Sequence, residues 1–183
     1  MRHTIIRLVA GLGAVLSLSA CVESSTDPFA GMATVTPLPD KFMAVASSDI
    51  YVLERDGDSY RFTGEDDFDR LKVFTAAGDK LVLQISSKDA GNGFTYSIGT
   101  LDTGKMDLVE ADHGAIAKSL GFGNATSDAD TAELENADQI VKVLQAGITS
   151  DSADVRSYEI LDYSVPEQKA KAREIIKHPP SNG

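Results

Sequence analysis

The sequence predicts an α+β domain in which an antiparallel β-meander is followed by helices and one late strand. Three observations predict this fold class. Apolar and polar residues alternate through much of residues 41–110, the apolar spacing lengthens to three and four residues beyond position 110, and residues 155–163 return to a strand-like composition. Strands that precede helices along the chain are typical of α+β domains, because the sheet and the helices then form separate layers.

The first predicted element is a β-hairpin around Asp56-Gly57, a dipeptide that favours a two-residue type I′ turn. In this register Leu53 faces Tyr60 and Tyr51 faces Phe62, so one face of the hairpin is apolar and aromatic. A type I′ turn needs positive φ, which glycine adopts without steric cost. We therefore expect a valine in place of the glycine to strain the turn.

Four further strands complete the predicted meander. The pattern places them over residues 71–75, 80–86, 94–98 and 106–108. The last two are joined by a segment, 99–106, that nearly matches a phosphate-binding P-loop. Met106 stands where that motif has a hydroxyl residue for Mg²⁺, so we interpret the segment as a hairpin turn.

Three helices are predicted after residue 110. Asp112 can cap a short first helix, and residues 133–146 have the apolar spacing of an amphipathic second helix. The late strand, 155–163, comes next. Ser164 and Glu167 then have the spacing of a capping box, which predicts a last helix ending at about residue 177.

Residues 1–20 have the three parts of an export signal: a basic start, an apolar stretch and an exit of small residues. The apolar stretch is too short to span a bilayer. It ends in Leu18, Ser19, Ala20 and Cys21, which resemble the lipobox of bacterial lipoproteins. The resemblance implies cleavage between Ala20 and Cys21, attachment of diacylglycerol to the Cys21 sulfur, and fatty acylation (typically palmitate) of the new amino group.

The lipobox resemblance also implies a location. Acylated Cys21 would hold the protein on a lipid bilayer of the cell envelope. In Gram-negative bacteria an Asp after the cysteine favours the inner membrane, so Val22 predicts the outer membrane, with the domain facing the periplasm. The alternative is an ordinary secretory signal or membrane anchor that contains a cysteine. Cys21 is the only cysteine, which excludes an intramolecular disulfide.

The chain divides into four predicted parts. These are the signal peptide (1–20), a lipidated flexible tether (21–40), a single α+β domain (41–178) and a disordered tail (179–183). Removal of the signal takes away two arginines and no acid, which leaves 15 basic and 28 acidic side chains and a net charge of −13. Because such a charge repels phosphate backbones, we expect no nucleic-acid partner.

One segment is a candidate metal site. Residues 124–135 carry oxygen-bearing side chains in a loose EF-hand arrangement, and Asp128, Asp130 and Glu135 are the candidate Ca²⁺ ligands. Ala129 stands where an EF-hand has glycine. Acids at this place also suit the positive end of the helix that follows, without any metal.

The sequence indicates a non-catalytic accessory lipoprotein that binds an envelope protein partner through its sheet or loops. It contains no G-x-S-x-G, H-E-x-x-H or dinucleotide-binding motif, so we expect neither an enzyme nor a cofactor. The alternative is a module that binds Ca²⁺ or a small ligand, with Tyr60, Phe94 and Tyr96 as aromatic contacts. An enzyme would need a cleft in which His113 meets a carboxylate or a serine.

Overall fold

The residues that the structure describes form a closed, eight-stranded antiparallel β-barrel with three short helices and two short strands outside it. The predicted class, an α+β domain with an open meander, is therefore wrong. The computed structural model describes residues 22–47, 49–65, 67–88, 93–122 and 132–179. Among these residues, no helix combines the length and the apolar character needed to cross a membrane.

The elements follow one another in a simple order along the chain. The strands are β1 (Val22–Ser24), β2 (Lys41–Ala46), β3 (Asp49–Asp56), β4 (Ser59–Thr63), β5 (Phe68–Thr75), β6 (Leu81–Ser87), β7 (Phe94–Asp102), β8 (Lys105–Glu110), β9 (Ala132–Glu133) and β10 (Asp154–Asp162). The helices are α1 (His113–Ser119), α2 (Ala137–Ile148) and α3 (Pro166–Lys177). Segment 99–106 spans the end of β7 and the start of β8, so its interpretation as a hairpin is confirmed.

The barrel closes because its last strand pairs with its first. β2 to β8 run up and down as consecutive neighbours, and β10 pairs antiparallel with both β8 and β2. Tyr158 lies opposite Met106, and Ile160 lies opposite Ala44. An open meander and a closed barrel show the same alternation along each strand. The local pattern therefore could not predict closure, which depends on pairing between distant parts of the chain.

The hairpin of β3 and β4 forms where predicted but in another register. Leu53 lies opposite Phe62, and Tyr60 lies opposite Arg55, so the predicted pairs are wrong. The turn residues are Gly57 and Asp58, of which only Gly57 has positive φ, at 67°. Positive φ at the first turn residue alone is typical of a type II′ turn instead of the predicted type I′. Each residue's partner lies two positions away from the predicted one. Because side chains alternate between the two faces of a strand, a shift of two leaves the same side chains pointing inward.

The barrel interior is the larger of two main apolar cores. Alternate residues of every barrel strand point into it, as predicted for Leu81, Leu83 and Ile85. Its fully or almost fully buried members include Phe42, Leu53, Tyr60, Leu71 and Val73.

A second core covers part of the barrel's outer face. Tyr96 and Ile98 point outward from β7 and are fully buried under α1, α2, β1 and β9, with Ile140 and Leu144 of α2 among their neighbours. A smaller cluster on β2, β3 and β10 is covered by α3, whose Ala172 is fully buried. Both outward faces therefore avoid water only because helices pack on them.

Residues 22–40 lie against the barrel along much of their length, although their composition predicts a tether. Val22 of β1 is fully buried and pairs with Tyr96 of β7. Phe29 is also buried, and its ring centroid lies 5.1 Å from that of Tyr96. Leu38 enters the barrel core. These three apolar residues attach the segment to the barrel, Val22 and Phe29 in the outer core and Leu38 in the barrel interior, because burial removes their side chains from water.

The helix starts agree with the sequence only in part. Asp112 caps α1 as predicted, its carboxylate accepting a hydrogen bond from the Ala115 amide at 2.7 Å. α2 begins later than predicted, after Asn136, because 132–133 pair with β1 as strand β9. The predicted capping box of α3 is wrong. Its cap is Val165, without a side-chain hydrogen bond, and Pro166 starts the helix with φ already suited to it.

Candidate functional site

The candidate site is a cavity of about 60 Å³ inside the barrel. Its lining comes from all eight barrel strands and is apolar or aromatic except for one serine. The lining residues are Phe42, Ala44, Tyr51, Leu53, Phe62, Phe68, Leu71, Leu83, Ile85, Ser97, Met106, Leu108 and Tyr158. Such a wall offers dispersion contacts and few hydrogen bonds to an occupant.

One end of the barrel is closed by the chain that leads into β2. Leu38 lies in the core there, and the Tyr60 hydroxyl accepts a hydrogen bond from its amide at 3.1 Å and donates one to its carbonyl at 2.9 Å. Burial raises the pKa of Tyr60, so its hydroxyl stays protonated and keeps both roles. This end therefore offers no entrance to the cavity.

The opposite end is where the cavity meets solvent. Tyr51, Phe68, Ile85 and Leu108 line the cavity but are only half-buried, in contrast to the buried residues deeper in the barrel. Aromatic contacts connect the wall here. The Tyr51 ring centroid lies 5.9 Å from that of Phe62 and 6.2 Å from that of Phe68, both at steep angles. Edge-to-face packing of this kind holds the entrance in shape.

Three charged side chains lie at the entrance, and we name them the mouth cluster: Asp49, Glu110 and Arg156. The Arg156 guanidinium is paired with the Asp49 carboxylate, and its Nη1 lies 3.4 Å from Oε1 of Glu110. Each of the three is two residues from a cavity-lining residue on the same strand, so it points to the same face. The apolar cavity thus ends in a charged rim.

The electrostatics of the entrance are set by burial and by these acids. Burial raises the pKa of Tyr51 well above its usual range, and the neighbouring charge of Asp49 raises it further. The Tyr51 hydroxyl is therefore neutral at physiological pH. It can donate or accept a hydrogen bond at the entrance, but it cannot act there as a base.

The predicted metal and lipid sites fall largely outside the described residues. The structure does not describe Asp128, Asp130, Ala20 or Cys21, so it does not test the predictions made for these residues. Glu135 is described; it is exposed, and its carboxylate accepts a hydrogen bond from the Ser25 hydroxyl at 3.1 Å. Within the described ranges, no three His, Cys, Asp or Glu side chains come together as a metal site would require.

The predicted aromatic contacts do not form one site. Tyr60 is inside the barrel but binds Leu38, whereas Phe94 and Tyr96 belong to the core outside it. His113, which an enzyme would need in a cleft, is instead fully buried at the start of α1, against Gly147 of α2. It does not line the cavity.

The residues that line the cavity mouth are far apart in the sequence, and no motif marks them. Tyr51, Phe68 and Tyr158 belong to three strands that are not consecutive, and Asp49 and Arg156 are 107 residues apart. The alternation along each strand was the available signal, because it marks which residues share a face. It could not show that these faces enclose one cavity.

Comparisons with known proteins add no relatives. Neither protein-family models, nor curated proteins, nor solved structures give a significant match to this chain.

Proposed function

We propose that this protein is an envelope lipoprotein whose barrel binds the end of a small apolar ligand. The observation that carries the proposal is the apolar cavity of about 60 Å³ with its entrance at one end of the barrel. Eight-stranded barrels are of a size that either fills with side chains or holds one small ligand. The predicted alternative, a small-ligand module, is thus the function that this geometry supports best.

The size of the cavity restricts the ligand. Cavities lined by apolar side chains stay dry, and one of about 150 Å³ holds benzene. A cavity of about 60 Å³ is less than half as large, so an aromatic ring is a poor fit. The end of an unbranched alkyl chain is narrower than a ring and can enter past Tyr51 and Phe68. We therefore take a short alkyl or acyl chain as the ligand class.

A chain-length series tests the proposal. The mature protein is titrated with n-alcohols from propanol to octanol, and binding is followed by the NMR shifts of cavity methyl groups such as Leu83 and Ile85. Each buried methylene contributes about 0.8 kcal/mol, or about fourfold in affinity. We expect affinity to rise at that rate and then to level off once the chain fills the cavity. Titrations without saturable shifts would contradict the proposal.

A matched pair of variants locates the binding site. Ala44→Leu adds bulk at a buried, inward position of the cavity wall and should weaken hexanol binding at least about tenfold, since the added side chain occupies the ligand's space. Ala170→Leu makes the same change on the exposed face of α3 and should leave binding unchanged. Equal effects of the two substitutions would place the alcohol elsewhere. If Ala44→Leu does not fold, Ser97→Val serves in its place, because it adds bulk at another part of the cavity wall.

The lipid anchor is proposed from the lipobox alone. Cys21→Ser replaces the sulfur with a hydroxyl that the lipid-transfer step should not accept. We expect the variant to lose incorporated fatty acid and to remain as the precursor, about 20 residues longer than the processed form. Mass spectrometry of the N-terminal peptide gives the readout. A wild-type chain with unmodified Cys21, or one that begins at another residue, would refute both the anchor and the proposed outer-membrane location.

Binding to an envelope protein partner stays a prediction, as does Ca²⁺ binding by the segment with Asp128 and Asp130. Among the described residues, the exposed large apolar side chains lie on separate elements; they are Met32, Leu120, Val155 and Ile176. Scattered residues of this kind do not favour a particular docking surface.

Calorimetric titration with Ca²⁺ tests the predicted Ca²⁺ binding. The absence of heat above that of buffer would rule it out.

A further inference from the structure

We infer that the mouth cluster selects ligands with a positively charged, hydrogen-bond-donating head group, and that the class of ligand is an alkylammonium amphiphile. The inference rests on the proposed function, because it assigns a head group to the chain that enters the cavity. It concerns the three side chains at the entrance, Asp49, Glu110 and Arg156. When the end of the alkyl chain is in the cavity, the head group of the ligand lies beside these three side chains.

The position of the mouth cluster connects it to the cavity. Asp49 precedes the lining residue Tyr51 by two positions, and Arg156 precedes Tyr158 by two. The pairing of Arg156 on β10 with Asp49 on β3 reaches past β2, which lies between those strands in the sheet. The cluster therefore spans part of the barrel's open end, within reach of any head group that projects from the cavity.

The charge of the mouth cluster favours a cation. It holds one guanidinium and two carboxylates, which gives a net charge of −1, and the whole chain is acidic as well, with a net charge of −11. Glu65 also lies near Tyr51, but its charge is offset by Lys88, whose Nζ donates to the Glu65 carbonyl at 2.6 Å, so the net charge of −1 comes from the mouth cluster itself. A ligand carboxylate would meet like charges at this rim, whereas an ammonium group would meet an excess of opposite charge.

Arg156 is already paired with both carboxylates of the mouth cluster. Its two terminal nitrogens are directed to Asp49 and Glu110, and its guanidinium carbon lies 5.9 Å from the Tyr158 ring centroid. Glu110, in contrast, keeps 39% of its side chain exposed, and a carboxylate accepts several hydrogen bonds. An ammonium group can therefore donate to Glu110 without breaking the existing ion pairs.

Three probes with the same chain test the inference: hexylammonium, hexanol and hexanoate, titrated into the mature protein at pH 7 and low salt. One unit of charge at a half-buried entrance changes affinity about tenfold. We expect hexylammonium to bind about tenfold more tightly than hexanol, and hexanoate about tenfold more weakly. The differences should shrink as salt is added, because screening weakens interactions between partly exposed charges.

The outcomes separate this inference from the cavity proposal. Equal binding of the three probes, or tightest binding of hexanoate, would overturn the head-group inference and leave the cavity in place. If none of the three probes binds, the cavity proposal fails and the inference fails with it.

Variants of the mouth cluster identify the groups responsible. Asp49→Asn and Glu110→Gln each remove one negative charge, so the preference for hexylammonium over hexanoate should fall about tenfold in either variant. Glu159→Gln removes the same charge from the exposed outer side of β10 and should change the preference less than about twofold. A preference that survives both mouth variants would overturn the inference. Glu110 is the more exposed of the two, so its variant serves if Asp49→Asn does not fold.

Discussion

At the scale of single residues, Gly57 has a conformational requirement that can be tested by substitution. It is the first residue of the two-residue turn between β3 and β4, and its φ of 67° lies in a region that L side chains rarely adopt. An added Cβ would meet no atom within 4 Å, so any cost of substitution is conformational. The next residue, Asp58, has negative φ and is free of this restriction.

The first prediction follows from that difference. Gly57→Val should lower the free energy of unfolding by about 1 kcal/mol or more, because a β-branched residue at positive φ is strained. Asp58→Ala, at the neighbouring exposed position, should change it by less than about 0.5 kcal/mol. Urea unfolding of both variants measures the difference. Equal stability of Gly57→Val and wild type would mean that the turn is assigned wrongly.

At the scale of elements, the helices matter because they cover the outer faces of the barrel. α2 places Ile140, Val143 and Leu144 in the outer core, all fully buried. Its start is held by Asn136, whose side-chain oxygen accepts hydrogen bonds from the amides of Asp138 at 2.9 Å and Gln139 at 3.3 Å. α3 has no such side-chain cap.

The second prediction compares the two helix starts. Asn136→Ala removes the cap of α2 and should lower the free energy of unfolding by about 1 kcal/mol. Ser164→Ala, at the position where the sequence suggests a cap for α3, should have little effect, since that side chain caps nothing. Thermal unfolding of the two variants measures both effects. A larger loss from Ser164→Ala than from Asn136→Ala would contradict the assignment of the caps.

At the scale of the whole molecule, closure and the outer layers withdraw the hydroxyls of Tyr51, Tyr60 and Tyr96, on three different elements, wholly or partly from water. Burial raises the pKa of each above the value of 10.0 that is typical of an exposed tyrosine. The folded protein thus binds these protons more tightly than the unfolded chain does. Their contribution to stability is fully present below pH 10 and is lost as the pH rises from there through the folded pKa values.

The third prediction is a loss of stability in alkali. The thermal midpoint should stay level from pH 8 to about pH 10 and fall steeply above it. Tyr96→Phe should make the fall less steep, because it removes one of the three protons. The Gln84 amide that donates to Tyr96 at 2.9 Å keeps its other acceptor, Asp27, at 2.7 Å. A midpoint that is level through pH 11 in wild type would contradict the prediction.

Much of the local structure could be predicted from the sequence. The strands β3 to β8 and β10, the inward alternation of Leu81, Leu83 and Ile85, the cap of α1 and the positive φ of Gly57 all depend on neighbours within a few residues. The export signal and lipobox are likewise local patterns, and they remain predictions. Such features can be read along the chain because the interactions that produce them are short-range.

Only the tertiary structure decided that the sheet closes, how its hairpin is registered and which residues meet at the cavity. Closure joins β10 to β2, near opposite ends of the domain, and it brings Arg156 to Asp49. Strand number, tilt and stagger must agree around the whole barrel before the edges can pair. This agreement is a property of all eight strands together, so no single stretch of sequence predicts it. The cavity and its charged rim form only when the barrel is closed.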